Sequence, residues 1–461
     1  MSKTGLIKTI LVELRKAQRE PWVPPPAGPV KKIRFPPGLP LEGGKHLRAT
    51  DKLLKAAAAY SAIHVASKPD LRLRFKIEEF EQLVCRAFGS VLASLDLDLT
   101  DEALCSLIKE GVDQYIRDLI EKRGERIEFT AGCHLFQPCE VYPIRVGPVS
   151  FETRDQWVER ALQDHKISAV TARRLRVTWS PRRLSKRKAS LDFHAEKSVL
   201  GAIGPCDIIC SVATHGLSAK MIREKALLAS RLAMTAIATM WARPSQGLEW
   251  MNLLYDRHLP HRQYVLFAEN RYAGSSSSIS QMPSGRWTDA ELVDEVRRYQ
   301  TLFDQFGEAL FNYVQPARGV TRPTMMNALF LSLWWHHEAC RESSDQMATT
   351  KFAASMDALV SGQDAQAIMI FIEAQLGFKP KDPMMKDGQS TRAIINEIYN
   401  SRRSRLIHGS SSDFAHDWSS VRSAAESISR LCLVSAADWM RSNSEIDDLK
   451  LMSSIEITMS C

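Results

Sequence analysis

The strongest constraint on the fold of this chain is a run of six segments with helical periodicity in its last third. Apolar residues recur three or four positions apart in each segment, the spacing that places them on one face of a helix. These segments cover 289–314, 323–341, 346–361, 365–376, 391–407 and 418–440. Since the connections between them are short, the pattern predicts an all-α helical bundle.

The first two thirds have a mixed pattern, which indicates several domains in a chain of 461 residues. The spacing predicts an amphipathic opening helix, a proline-rich extended arm over 21–43 and helices over 50–125. Short strands are predicted at 127–129, 142–146, 149–151, 175–179, 207–212 and 263–267, with a helix at 217–242 and a flexible boundary at 273–286. The predicted fold class is α+β, an N-terminal mixed α/β region followed by the C-terminal bundle. Its segments are 1–45 (helix and arm), 46–125 (helical), 126–285 (sheet and helix), 286–445 (bundle) and 446–461 (tail).

The composition of the chain and the motifs that it lacks argue against several classes of protein, among them secreted proteins, membrane proteins, ATPases, zinc proteases and serine hydrolases. The nine cysteines are scattered without a C-x-x-C pair, which favours a reducing cytoplasm. No secretory signal is recognisable, and the most apolar stretch, 226–242, is interrupted by Arg231, so we expect a buried helix and no membrane contact. The chain lacks a Walker glycine loop, H-E-x-x-H and G-x-S-x-G. Adjacent His336 and His337 point about 100° apart on a helix, so a tryptophan core beside a polar rim is favoured over a metal site. We expect no metal and no cofactor.

The formal charge of +8 and the isoelectric point near 9.0 favour a polyanionic partner. The densest basic run lies within 173–188 and is predicted to be a loop that holds an RNA backbone and stacks a base. Its members are Arg173, Arg174, Arg176, Trp179, Arg182, Arg183, Lys186, Arg187 and Lys188. A solvated loop without a nucleic-acid partner is the alternative interpretation.

The most informative short segment is 399–409. On a helix over 391–407, Ile395, Tyr399, Arg403 and Ile407 form one column, so Arg403 interrupts a core-facing stripe. A guanidinium there needs an acidic partner, a carbonyl or a phosphate. His408 precedes Gly409, the residue type that commonly ends helices, and should therefore lie at a rim.

Tyr399, the Arg403-Ser404 pair, Leu406-Ile407 and His408-Gly409 together resemble the Y-x-x-x-R-S-x-φ-φ-H-G signature of HEPN domains. The Apea-like branch is the most similar, and 351–352 and 357–359 on an earlier helix also resemble it. The resemblance covers the last third of the chain; the first two thirds resemble no family that we can name. It implies a metal-independent endoribonuclease in a prokaryotic defence or toxin system. It also implies a homodimer, and an N-terminal region that senses a trigger or restrains the nuclease.

The residues of this segment suit RNA cleavage. Histidine exchanges protons near neutral pH, and an arginine fork binds a phosphate whose charge grows in the transition state. We therefore assign His408 as acid or base and Arg403 as the phosphate clamp in an attack by the RNA 2′-hydroxyl, with tRNA or structured RNA as substrate. Ser404 is assigned by the resemblance to orient the substrate or histidine, and Arg402 and Arg405 are secondary phosphate contacts.

Spacing alone does not define this site. Arg160 and His165 have the same R-x4-H separation without the other signature residues. Five residues of straight helix turn by about 500°, so Arg403 and His408 would project roughly 140° apart unless the helix has ended or bent by His408. The resemblance implies that two protomers pair so that both Arg/His sets line one cleft. Asp413, His416 and Asp417 could extend it, although a helix N-cap at Asp417 is preferred.

Two other functions stay open. In a non-catalytic interaction module, Arg403 and His408 would stabilise the bundle or its dimer, and the 173–188 segment would dock nucleic acid or an acidic partner. In a HEPN partner of a nucleotidyltransferase, Tyr399 or Ser404 would be the modified residue.

Overall fold

The computed structural model describes most of the chain. The described residues are 2–20, 37–96, 99–122, 126–137, 140–180, 184–185, 187–256, 261–268, 271–279, 288–384, 388–409 and 417–454. They form two compact units: the first comprises Met1–Ile127, Thr214–Glu224 and Gln315–Arg318, and the second comprises Glu128–Ala213, Lys225–Val314 and Gly319–Cys461. The predicted segments 126–285 and 286–445 both contribute to the second unit.

The first unit is mainly helical, as the apolar spacing over 46–125 predicts. The opening helix begins after Ser2, whose Oγ accepts a hydrogen bond from the amide of Gly5, and it buries Leu6, Ile10 and Leu14. The elements in chain order are α1 Lys3–Arg19, β1 Gly38–Pro40, β2 His46–Arg48, α2 Asp51–Ser67, α3 Asp70–Arg74, α4 Ile77–Ala93 and α5 Asp101–Lys122.

The end of the predicted proline-rich arm is packed rather than free. Strand β1 pairs antiparallel with β2, and Leu39 is fully buried. Gly89 on α4 admits this strand, because a Cβ atom there would lie 2.4 Å from the carbonyl oxygen of Pro40. The extended course predicted through residue 43 is thus observed at Gly38–Pro40, where it is a packed strand rather than a linker, while 21–36 lie outside the described residues.

The second unit contains the main sheet. Within the described chain this sheet has five strands in the order β4-β5-β6-β3-β7. They are β3 Arg126–His134, β4 Ile144–Val146, β5 Val149–Thr153, β6 Ile208–His215 and β7 Asn252–Leu253. A separate hairpin consists of β8 His261–Ala268 and β9 Arg271–Ile279. The boundary predicted at 273–286 is thus a strand up to Ile279, and 280–287 lie outside the described residues.

One predicted strand is a helix. The helices between the strands are α6 Arg154–Gln163, α7 Ala169–Trp179, α8 Leu191–Ile203, α9 Ala219–Ala238 and α10 Pro244–Trp250. Residues 175–179 belong to α7, because Ser168 caps the helix through the amide of Thr171 and the buried Thr171, Ala172 and Leu175 follow helical spacing. In the described part of the chain, no helix has the length and apolarity needed to cross a membrane.

The C-terminal helices follow the predicted segments closely. They are α11 Asp289–Val314, α12 Pro323–Cys340, α13 Asp345–Leu359, α14 Ala365–Leu376, α15 Thr391–Asn396, α16 Arg405–Ile407 and α17 Ser419–Ser442. A π-helical segment, Glu397–Ser404, separates α15 from α16. The predicted N-cap Asp417 lies one residue before the observed N-cap Trp418, although its Oδ1 still accepts a hydrogen bond from the amide of Ser419 (2.9 Å).

The sheet and the C-terminal helices share one hydrophobic core. It joins Phe151 and Val212 of the sheet to Phe303 of α11 and Phe352 of α13. The described chain is therefore an α+β protein in which helix predominates.

Candidate active site

Arg403 lies in the π-helical segment. The preceding helix α15 starts at the Ser390 cap, and Ile395 and Tyr399 are buried as predicted. Ile407 is 58% exposed, however, so the predicted column of Ile395, Tyr399, Arg403 and Ile407 does not extend through one continuous α-helix. A π-helical turn holds more residues than an α-helical turn, which shifts the faces of all later residues.

The guanidinium of Arg403 is held from two sides. Its Nη2 lies 3.1 Å from Oδ2 of Asp357 on α13, and its Cζ lies 4.5 Å from the centre of the Tyr399 ring. Tyr399 donates its hydroxyl to Oδ1 of the same carboxylate at 3.2 Å. Asp357 is thus the acidic partner that a half-buried arginine requires, and the three side chains fix one another.

Burial sets the electrostatics of this triad. It raises the pKa of the Asp357 carboxyl above its ordinary value, and the charge of Arg403 and the Tyr399 hydrogen bond only partly oppose that effect. Burial and the neighbouring carboxylate also raise the pKa of Tyr399. Tyr399 therefore acts as a hydrogen-bond donor rather than as a phenolate.

Arg403 and Asp357 line an open cleft of about 710 Å³. Helix α12 supplies one wall with Asn327, Leu331 and Trp335, which are spaced four residues apart and so share one helix face. This volume falls in the range of small-molecule sites, about 300–1,000 Å³.

His408 ends the next short helix and is exposed. Its amide donates to the carbonyl of the half-buried Ser404 at 3.0 Å, and Gly409 follows with a φ of +67°, as predicted for a glycine that ends a helix. In the described chain His408 is not among the residues that line the Arg403 cleft. A single copy therefore places Arg403 in the cleft, while Ser404 and His408 are not among the described residues that line it.

Arg402 and Arg405 are the predicted secondary phosphate contacts, and the structure describes the side chain of only the first. Arg402 Nη2 lies 3.3 Å from Oε1 of Glu397, and the guanidinium lies 4.7 Å from the Trp418 ring centre. This side chain is thus engaged within its own bundle. The side chain of Arg405 lies outside the described part.

The basic run at 173–188 is not a continuous loop, because Arg173, Arg174, Arg176 and Trp179 lie on α7. The correction follows from the helical burial pattern of that segment. Arg174 pairs with Glu196 at 2.8 Å, and Arg176 pairs with Glu159 at 2.9 Å. The guanidinium of Arg154 lies 5.2 Å from the Trp179 ring centre.

The structure describes only some residues of the C-terminal part of the basic run, 180–188. Arg187 pairs with Glu196 (2.9 Å) and with Asp192 (3.0 Å), whereas Lys188 and Arg173 are exposed. Arg182, Arg183 and Lys186 lie outside the described residues. Several of the predicted RNA-binding cations are therefore committed to ion pairs within the second unit.

The paired histidines of α12 are buried, so the predicted arrangement of tryptophan core and polar rim is reversed. Nδ1 of His336 lies 2.9 Å from Oγ of Ser429, and Nδ1 of His337 lies 2.8 Å from Oγ1 of Thr235. Burial lowers the pKa of each imidazole to about 3. Both are structural polar groups, and no group of three or more His, Cys, Asp or Glu side chains forms a metal site among the described residues.

Sequence reasoning missed Asp357 as the partner of Arg403 and Trp335 as a residue of the cleft. The available signal for Asp357 was its spacing: it follows Phe352, Ala353 and Met356 on the buried face of α13, where a carboxylate requires a partner. Trp335 follows Leu331 by four residues and is half-buried in the cleft wall, whereas the sequence predicts a core tryptophan.

Comparison of the chain with protein-family models, with curated proteins and with solved structures gives no match.

Proposed function

We propose that this chain is a metal-independent endoribonuclease of the HEPN type, with its active site on the C-terminal helices. The proposal comes from the signature at 399–409, and one observation carries it further. The Arg403 guanidinium is fixed by Asp357 and Tyr399 at the wall of an open cleft, while His408 is exposed five residues later.

The proposed reaction needs a proton acceptor, a proton donor and a positive charge. The 2′-oxygen loses its proton to a base and attacks the adjacent phosphorus, while the bond from phosphorus to the 5′-oxygen breaks and that oxygen gains a proton. His408 exchanges these protons, and Arg403 stabilises the negative charge on the phosphate oxygens. Asp357 and Tyr399 are positioning residues, and Ser404 orients the substrate or His408.

The position of His408 outside the cleft favours a site built from two copies. In a homodimer, His408 of one copy would reach the phosphate that Arg403 of the other copy binds. We propose this dimer together with a cytoplasmic defence or toxin role, in which the N-terminal region senses a trigger or restrains cleavage. The defence role rests on analogy with the family.

A second candidate, a non-catalytic interaction module, has one specific observation in its favour. Asp357 already neutralises Arg403. In this second candidate the ion pair has a purely structural role, which is to join α13 to the π-helical segment. In that case Arg403→Gln would destabilise the second unit, and no ribonuclease activity would exist to be lost.

The deciding experiment compares the wild type with His408→Asn and His165→Asn. His165 is a matched control because it is exposed, lies in the other R-x4-H sequence and has a positive φ of 56°, which asparagine tolerates. Each protein is incubated with total tRNA and a structured RNA in EDTA. The proposal expects 2′,3′-cyclic phosphate ends from the wild type and from His165→Asn, and at least a 100-fold slower reaction from His408→Asn.

Two results would count against the enzyme. Equal cleavage by His408→Asn and the wild type would show that another residue or a contaminant cuts RNA. No cleavage by any protein, with folding and oligomeric state unchanged, would favour the interaction module. Sedimentation of wild type and variants tests the dimer separately.

A further inference from the structure

The cleft beside Arg403 is lined by polar, aromatic and aliphatic side chains, several of which have no part in the proposed reaction. The π-helical segment contributes Arg403, and α13 contributes Asp357. Helix α12 contributes Asn327, Leu331 and Trp335. A ligand here would therefore meet one ion pair, one carboxamide and one large aromatic surface.

Trp335 is half-buried, and its indole stacks on that of Trp334. The two ring centres are 5.5 Å apart and the planes meet at 22°. The neighbouring indole restricts the rotation of Trp335, so this side chain loses little freedom when a flat ligand packs against it. Nucleic-acid bases stack on such aromatic surfaces with little dependence on sequence.

Asn327 lies two helical repeats before Trp335 on the same face, about 12 Å away along the axis. It is exposed, so its carboxamide can both donate to and accept from the edge of a base or a ribose hydroxyl. The half-buried Leu331 lies between them and supplies apolar contact. This wall thus has the length and chemistry for one nucleotide or two.

The charge of the cleft suits a ligand that places a single negative charge inside it. Asp357 compensates Arg403, and no other arginine or lysine is among the described residues that line the cleft. A ligand with one phosphate at Arg403 and an uncharged ring elsewhere fits this balance better than an acidic peptide. Because the paired bases of an A-form duplex are stacked on one another, a base that packs on Trp335 must come from a single-stranded region.

We propose that this cleft binds an unpaired nucleotide of RNA, with the base against Trp335, its edge or ribose near Asn327 and its phosphate at Arg403. The inference rests on the proposed function and adds a substrate class, namely RNA cut in loops or single strands.

The test measures binding without cleavage. Fluorescence anisotropy is recorded with labelled 2′-O-methyl ten-nucleotide strands of A, U, C or G, and with a 2′-O-methyl duplex. We expect at least one single strand to bind the wild type more than 10-fold tighter than the duplex. Trp335→Leu should weaken that binding about 10-fold or more, whereas Trp335→Phe, which keeps a stacking ring, should stay within about threefold.

The controls separate a local effect from misfolding. Tyr255→Leu removes an aromatic side chain that is 52% exposed and does not line the cleft, so it should bind like the wild type. Urea unfolding of Trp335→Leu and Trp335→Phe checks that both fold. Equal affinity of Trp335→Leu and wild type, no binding of any single strand, or equally tight binding of a poly-glutamate peptide would each overturn the inference.

Cleavage assays keep this inference distinct from the proposed function. If the wild type cuts loop RNA and Trp335→Leu cuts it with the same kcat/KM, the nucleotide site is refuted and the nuclease stands. If no protein cuts RNA but Trp335→Leu still loses single-strand binding, the nuclease is refuted and the cleft stays a nucleotide site.

Discussion

Breaking the ion pair between Arg403 and Asp357 should cost the second unit measurable stability. The two side chains are 23% and 12% exposed, so the pair lies between a surface pair and a buried one. Surface pairs contribute about 0–1 kcal/mol, and removing one partner of a buried pair costs about 3–5 kcal/mol. For Arg403→Gln we therefore expect a fall of about 2 kcal/mol in the free energy of unfolding, since the buried Asp357 would keep its charge without its cation.

A second Arg–Asp pair in the same unit provides the control. Arg441 and Asp438 on α17 are 2.8 Å apart, but their side chains are 50% and 65% exposed. Arg441→Gln should change the free energy of unfolding by less than about 0.5 kcal/mol. The double variant Asp357→Asn/Arg403→Gln should recover about 1 kcal/mol relative to Arg403→Gln, because neither charge is then left alone.

Urea unfolding followed by tryptophan fluorescence measures this effect. The eight tryptophans in the described ranges lie in the second unit, whereas Trp22 falls in the range of the first, so all proteins carry Trp22→Phe to keep the signal on the unit that contains the pair. If Arg403→Gln costs no more than Arg441→Gln, the ion pair does not hold the π-helical segment and the reasoning is wrong. If the double variant is less stable than Arg403→Gln, the stabilisation comes from other contacts of Asp357.

Two further predictions concern the core of the second unit. His337 has a pKa of about 3 in the folded protein, against about 6.5 in the unfolded chain. Between these two pH values the unfolded chain binds more protons than the folded protein. The free energy of unfolding therefore falls as the pH falls, by up to about 1.4 kcal/mol per pH unit. His337→Asn, which can still contact Thr235, should reduce the slope of unfolding free energy against pH between 6.5 and 4.5; an unchanged slope would contradict the assignment. Gly307→Ala should destabilise the unit by more than about 2 kcal/mol, because its Cβ would lie 2.4 Å from the amide nitrogen of Gly147. The control Gly201→Ala meets open space on α8 and should gain about 0.5–1 kcal/mol; equal urea midpoints for the two variants would refute the packing argument.

The sequence predicted the C-terminal helices well because their signal is local. Apolar spacing indicates which face a helix buries and roughly where it starts. The helices predicted from 346 and 391 begin at Asp345 and Thr391, after the N-caps Ser344 and Ser390. The strand predicted at 175–179 from its alternating residues is wrong, because these residues belong to α7. The Ser168 N-cap and the buried face of α7 stabilise a helix there.

The candidate site depended on tertiary structure to a greater extent. The sequence indicated that Arg403 needs a partner, but Asp357 lies 46 positions earlier, and only the packing of α13 against the π-helical segment selects it. The π-helical segment itself was not predicted, since the apolar pattern over 391–407 fits a plain α-helix. It moves Ile407 from the predicted core stripe to the surface.

Local sequence thus determined most of the C-terminal helices and the residue types of the Arg403 and His408 segment. Tertiary structure decided which charges are neutralised, as with Arg174 and Arg187 on Glu196, and which side chains share a cleft. The physical reason is that helical periodicity follows from the burial of one face over a few turns. Ion pairs and clefts instead depend on which distant elements become neighbours.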